Sequence, residues 1–349
     1  MRRIELSFLN NSKLRLRSDQ VDTFSHVVIG LGIGALAQLD PVVSANETLT
    51  QAVILGTVIG SNAPDFDFLY RLKGKGSYIR NHRGLSHSFP ALPLWAIIVS
   101  WILFPFAGLS FSHLFLWTFL AVILHVVFDL FNVHGTQLLR PYSRKWIAFD
   151  AVPLLDPYIL LIHFLGFGLI LYYQAGITFL IIYIILFFYL AIRTLSAILS
   201  KKHLQSHFIN AERIKLIPRI TLFKWDILIE TKEDFLFGIY TLRGLTIEHT
   251  LAKKIDFPLL VSNSRNDHRV SDFLACTNYA YPFVDVRKNG YLVYWKDLRF
   301  RTKRFFPTLA IQFISSDFQK KNSYIGTFNS LKQYKKVVRK LTNSSSSIN

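Results

Sequence analysis

Imidazole and carboxylate side chains recur in this chain at short spacings and without thiol partners. Asp65 and Asp67 stand two apart in NAPDFDFLYR, His82 and His87 five apart in NHRGLSHS, and His125 and Asp129 four apart in HVVFDLFN. His26 opens HVVIGLGIG, and Asp156 sits in LLDPY. Nitrogen and oxygen donors of this kind form the ligand set for zinc, manganese or a similar divalent ion. A cation also explains how several carboxylates can share one place, because it neutralises their mutual repulsion. Taken singly, each group has an ordinary reading. PDFD is a turn in which Asp accepts backbone hydrogen bonds. His125 and Asp129 are a hydrogen-bonded pair on one helix face, and His82 and His87 are solvated residues beside a basic loop. The metal reading therefore depends on the elements that bring them together.

Those elements are largely apolar. About half of the 349 residues are hydrophobic, and they concentrate in the first 200. Residues 90–108, 113–131, 157–176 and 177–192 are each roughly long enough to cross a ~30 Å hydrocarbon core. Two shorter, glycine-rich segments, 26–39 and 51–60, carry Gly30 with Gly34 and Gly56 with Gly60. That small-xxx-small spacing lets helices in a membrane approach closely. The expectation is a membrane domain of about six helices over residues 21–200, the first two short and tightly packed.

Lys and Arg alternate between the connections. Residues 1–20 hold Arg2, Arg3, Lys13, Arg15 and Arg17; the 62–88 loop holds Arg71, Lys73, Lys75, Arg80 and Arg83; the 132–156 loop holds Arg140, Arg144 and Lys145. The intervening connections hold none. The positive-inside rule then places both termini, and all eight donor residues, on the cytoplasmic side of a multi-pass protein of the cell membrane. No cleavable signal peptide is evident in the charged first twenty residues. A single cysteine, Cys276, excludes an internal disulfide framework and fits a reducing compartment.

After residue 205 the pattern turns to short alternating segments, and Asn289–Gly290 separates two β-type runs as a hairpin signal. Residues 205–340 are expected to form a β-rich cytoplasmic domain, and residues 341–349 a polar disordered tail. Residues 201–349 hold 26 of the 40 Lys and Arg against 12 of the 22 Asp and Glu. A basic surface beside a bilayer attracts anionic lipid headgroups. Nucleic acid is the less favoured partner, because no recognised DNA- or RNA-binding signature accompanies the charge.

His26 with GLGIG, then APDFD, NHRGLSHS, HVVFDLFNVHGTQLLRP and LLDPY, in that order over nearly the whole chain, resembles the YdjM-like family of membrane-bound metal-dependent hydrolases, and within it the YfhP branch. The resemblance implies a divalent-metal site and hydrolase chemistry. By motif match, Asp65, Asp67, His82, His87, His125 and Asp129 take the family's polar positions, with His26 and Asp156 as further members. His163, seven residues after Asp156, is a secondary candidate.

The expected chemistry is hydrolysis assisted by one or two ions, zinc or manganese first. His87, His125, Asp129 and Asp67 are expected as direct ligands, and Asp65 or His82 as general base. Arg80 and Arg83 are candidates to grip an anionic substrate by forked hydrogen bonds. A site at headgroup level points to a phospholipid-like or other amphiphilic phosphoester. The competing reading is a non-catalytic, regulatory membrane protein whose metal or polar cluster is structural.

Overall fold

In the computed structural model of the chain, the described residues are 18–107, 110–301, 306–328 and 330–343. The basic segment before residue 18 and most of the serine-rich tail lie outside them. Eight helices come first: α1 (Ser18–Leu36), α2 (Pro41–Ser44), α3 (Glu47–Gly60), α4 (Lys75–Asn81), α5 (Ala91–Ala107), α6 (Phe111–Phe131), α7 (Pro157–Leu169) and α8 (Ala175–His207). Strands β1 (Arg213–Pro218), β2 (Lys224–Glu230), β3 (Asp234–Thr241) and β4 (Gly244–Ala252) follow. Then come α9 (Pro258–Ser264), α10 (His268–Leu274), β5 (Ala280–Arg287), β6 (Gly290–Asp297), β7 (Thr308–Ser315), β8 (Lys320–Thr327) and α11 (Leu331–Asn343). They divide into two compact units: Ser18–Asp67 with His82–Leu251, and Phe68–Asn81 with the residues from Ala252 on.

In the first unit α3 packs against α1, α5 and α6, and α1 also meets α7 and α8. A Cβ on Gly30 would come 2.8 Å from the Thr57 carbonyl of α3, and one on Gly56 would come 2.5 Å from Thr118 Oγ1 of α6. The expected close approach is therefore present, with Gly30 turned to α3 and Gly56 to α6. Such contact matters because hydrophobic burial gives little drive between helices in lipid.

Helix lengths qualify the expected six spans. Among the described residues, only α6, with 21 residues, and α8, with 33, are long and apolar enough by themselves to cross a membrane; α5 becomes a third when taken with the bent segment before it. The apolar part of α1, and α3 and α7, are shorter. Fourteen residues of α3 rise only about 21 Å. The segment expected to run over 157–176 stops at Leu169, after Gly166 and Gly168, which weaken the last helical turn. Gln174 then stands at the N-cap position of α8, with no capping hydrogen bond from its side chain.

The strands β1–β4 form an antiparallel meander in the first unit. Leu216, Trp225, Ile227 and Ile229 are buried in one cluster with Ala197 and Leu204 of α8. A buried ion pair, Lys215 Nζ to Asp150 Oδ1 at 2.6 Å, fastens β1 to the segment before α7. Arg193 of α8 donates from Nε to the Ala151 carbonyl at 2.8 Å, holding the same segment.

The second unit is a sandwich about the antiparallel sheet β5-β6-β7-β8. Leu260, Val261, Val270 and Phe273 of α9 and α10, joined by Ile79 of α4, pack with Val293, Trp295 and Ala310. Tyr334, Val337, Val338 and Leu341 of α11 pack with the alternate residues Leu292, Tyr294 and Ile311. This split follows from the period of two along a strand. The hairpin signal is displaced by one residue. Lys288 and Asn289 form the turn, while Gly290 opens β6 opposite Arg287 at φ +149°, a conformation open to glycine alone.

Candidate metal centre

The site is built on α6. Its 3.6-residue period sets His125 and Asp129 one turn apart on a single face, both buried. His125 Nδ1 lies 2.7 Å from the Ser61 carbonyl, just past the end of α3. A carbonyl only accepts, so Nδ1 carries the hydrogen and Nε2 presents its lone pair.

His87 comes from the turn before α5 and is fully buried. Its Nδ1 is 2.9 Å from Ser86 Oγ, and that hydroxyl donates to Asp67 Oδ2 at 3.0 Å. With its one hydrogen committed to the carboxylate, Ser86 accepts from His87 Nδ1–H. In the neutral ring, the form that binds a metal, Nε2 of His87 therefore also presents a lone pair.

The two Nε2 atoms lie 3.1 Å apart. Asp129 Oδ2 lies 3.2 Å from Nε2 of His87 and 3.6 Å from that of His125. Asp65 Oδ1 lies 3.4 and 3.8 Å from the same two atoms. Both carboxylate oxygens are buried without a hydrogen bond of good geometry. Each carboxylate oxygen thus faces both nitrogens, and Asp65, His87 and His125 form a group at ligand spacing. Donors bound at 2.0–2.2 Å around one tetrahedral zinc stand about 3.3 Å from each other, close to these separations. Buried carboxylates and imidazoles so arranged are costly unless a proton or a cation lies among them, and the residues fit a divalent cation.

Asp65 lies at the start of a 3₁₀ segment, Ala63–Lys73. When protons rather than a cation occupy the imidazoles, its carboxyl is held below the usual carboxylate range: burial, which raises it, is outweighed by the charge of a protonated His125 and a hydrogen bond from a protonated His87. The Asp65 side chain is also the more open member, 19% exposed against 0–1% for His87, His125 and Asp129.

Asp67 is surrounded by donors. It accepts from His82 Nδ1 at 2.9 Å, the Arg83 amide at 3.0 Å and Ser86 Oγ at 3.0 Å. It ties the turn carrying His82, Arg83 and His87 into one rigid piece, and it aims the His82 imidazole. A looser grouping of Asp65, Asp67 and His82 also has donor atoms close enough to share an ion.

His26, on α1, is buried with its ring centroid 4.0 Å from that of His125 and its Nε2 3.8 Å from Asp129 Oδ1. His26, His125 and Asp129 form a further group at ligand spacing. Beside them a cavity of about 30 Å³ is lined by Ser25, Asn132, Asp156 and apolar residues of α1, α6 and α7, room for about one water.

The remaining candidates sit differently. Asp156 caps α7, accepting from the Tyr158 amide at 2.9 Å, and takes a hydrogen bond from the Tyr189 hydroxyl at 2.7 Å. It reaches the site as a cavity wall, and it belongs to none of the ligand-spaced groups among the described residues. His163 donates from Nδ1 to the Ile159 carbonyl at 2.7 Å and packs against Tyr183, apart from the cluster. Arg80 pairs with Asp272 at 3.3 Å, so it already has an anionic partner. Arg83 is buried against Asp129 and Asn132. Ser61 and Ser86 complete the arrangement. A backbone carbonyl leaves no mark in sequence; the serine beside His87 was the one readable sign.

Comparison with known proteins agrees with both units. Residues 21–198 match the family described as YdjM inner membrane protein. Residues 259–338 match the YfhP C-terminal alpha/beta plait domain. The chain is similar to a protein of Bacillus subtilis (strain 168) called "Uncharacterized protein YfhP", with 36% identity over 313 residues covering 88% of this chain and 95% of that one. No solved structure matches the chain.

Proposed function

Because the chain belongs to the YdjM inner membrane protein family, and so is a protein of the membrane, we propose that it is a membrane-bound, metal-dependent hydrolase. Its substrate would be a phosphoester or similar amphiphile met at the cytoplasmic face. The observation that carries this reading is the convergence of His87 Nε2, His125 Nε2, Asp65 Oδ1 and Asp129 Oδ2. Zinc or manganese, as one ion or two, suits that mixed nitrogen and oxygen set.

When bound, a divalent ion supplies hydroxide at neutral pH by lowering the pKa of a coordinated water to about 7. The chain's own residues do the rest. Asp67 holds the Nδ1–H of His82, which leaves Nε2 as the ring's basic atom, and the ring is partly exposed. His82 is thereby suited to take a proton from water or return one to a leaving group. The more open Asp65 side and the one-water cavity beside His26 offer room for water next to the cluster.

The basic face of α11, with Lys332, Lys335, Lys336, Arg339 and Lys340 and no acidic residue, suits anionic headgroups. A cytoplasmic position of both termini rests on the alternation of basic loops.

One observation favours a non-catalytic, regulatory reading. Four protein donors can close a coordination sphere, and closed sites are structural. Metal analysis of the detergent-purified chain, with a phosphoester screen on the same sample, separates the two. Metal with hydrolysis supports the enzyme; metal without hydrolysis of any phosphoester tested supports the structural role.

A further inference from the structure

Arg83 occupies an unusual place. Its φ is +59°, a left-handed conformation that glycine adopts freely and arginine does not. Gly84 follows it at φ −95°, so the residue in the unfavourable conformation is the one with the long side chain. That side chain is buried, 4% exposed. Nη2 lies 3.0 Å from Asp129 Oδ1, and Nη1 donates to Asn132 Oδ1 at 3.0 Å. Asn132 in turn donates from Nδ2 to the same Asp129 oxygen at 3.3 Å, and its own Oδ1 is fixed by the amides of His134 and Gly135.

The two oxygens of Asp129 thus have separate surroundings. Oδ1 is taken by a guanidinium and an amide, with His26 Nε2 farther off at 3.8 Å, while Oδ2 faces the Nε2 atoms of His87 and His125. Resting on the metal reading above, we propose that Arg83 is a positioning residue that makes Asp129 a one-oxygen ligand. Its fork holds Oδ1 so that Oδ2 alone is offered to the cation. It also offsets one of the two carboxylate charges while the site is empty. Because the guanidinium spans Asp129 and Asn132 together, Lys, a point charge with no fork, cannot replace it. The backbone of the same residue donates to Asp67, so one residue sets both Asp129 and the turn that carries His87. This role differs from gripping a substrate anion, for which the buried guanidinium would have to leave Asp129.

The test uses the full chain in detergent and Zn²⁺ alone as probe. Affinity is read by competition with a chromophoric chelator, and ligation by the infrared carboxylate bands, whose splitting is wider for one-oxygen than for two-oxygen binding. Arg83→Lys should weaken Zn²⁺ binding by about 10- to 100-fold and narrow the splitting relative to the parent chain. Parent affinity and parent splitting in Arg83→Lys overturn the proposal. So does unchanged Zn²⁺ affinity with weakened binding of inorganic phosphate, which would return Arg83 to the substrate. If Arg83→Lys does not fold, Asn132→Ser, which removes the second donor to Oδ1, decides by the same two readings. A parent chain that binds no Zn²⁺ overturns both this role and the metal reading, whereas failure of the variants alone leaves the metal reading standing.

Discussion

Nε2 of His87 and Nε2 of His125 face each other at 3.1 Å, each on a ring whose Nδ1–H is already committed, to Ser86 Oγ and to the Ser61 carbonyl. Two neutral imidazoles held this way repel, and the nearby oxygens of Asp65 and Asp129 add to the demand for positive charge between them. Proton and metal therefore compete for the same atoms.

That competition sets a pH dependence. Asp65 has a folded pKa below the usual range. It stays ionised, and the stability it contributes is present above its unfolded value of about 3.9 and is lost only below it. Across pH 7.5 to 5.5 the cation must displace protons at the imidazoles, which bind metal only through a deprotonated nitrogen. Zn²⁺ affinity measured by chelator competition should fall as pH drops through this window, with proton release on binding. An affinity flat from pH 7.5 to 5.5 would count against histidine ligation.

His82 should separate chemistry from metal holding. His82→Ala is expected to keep the metal while phosphoester turnover falls by a factor on the order of 10² to 10⁴, the usual cost of a lost general acid or base. Metal loss in this variant would move His82 from proton transfer to ligation.

Much of this centre was legible before the fold. His87, His125, Asp65 and Asp129 stood out by type and spacing, and the helical period alone put His125 and Asp129 on one face. Arg80 and Arg83 looked alike in the same loop, and only a partner 192 residues away, Asp272, tells them apart. Local patterns likewise hid that Phe68–Asn81, inside that loop, folds with the C-terminal unit, where Ile79 enters the core. Helix length does not confirm all six expected spans, because apolar composition does not report where a helix stops, as at Leu169.

The ion pair between Lys215 and Asp150 tests packing away from the centre. Both are buried. Lys215→Met removes the cation that faces the buried Asp150 carboxylate and should destabilise by up to about 3–5 kcal/mol in denaturant or thermal melts. Pairing it with Asp150→Asn should recover part of the loss. A single variant as stable as the parent would show the pair to be dispensable.

Orientation can be read with one introduced thiol at a time. Cys276 is a poor background target, since burial pushes its thiol up to about 12 and thiolate is the reactive form. Leu72→Cys, at a side chain 87% exposed, should be protected from an impermeant reagent in intact cells, and Ala45→Cys, also exposed, should be labelled. The reverse pattern would invert the topology.

The central claim, that four converging donors hold a divalent cation, is tested most directly by elemental analysis of the purified chain beside its Asp129→Asn variant. Asparagine keeps the size and much of the hydrogen bonding of Asp129 but removes the charge. The account predicts about one or two divalent ions per parent chain, a melting temperature lowered by chelation because metal binding adds to folding free energy, and loss of the metal in a still-folded Asp129→Asn. A parent chain without metal, whose melting responds neither to chelator nor to added zinc or manganese, would contradict it.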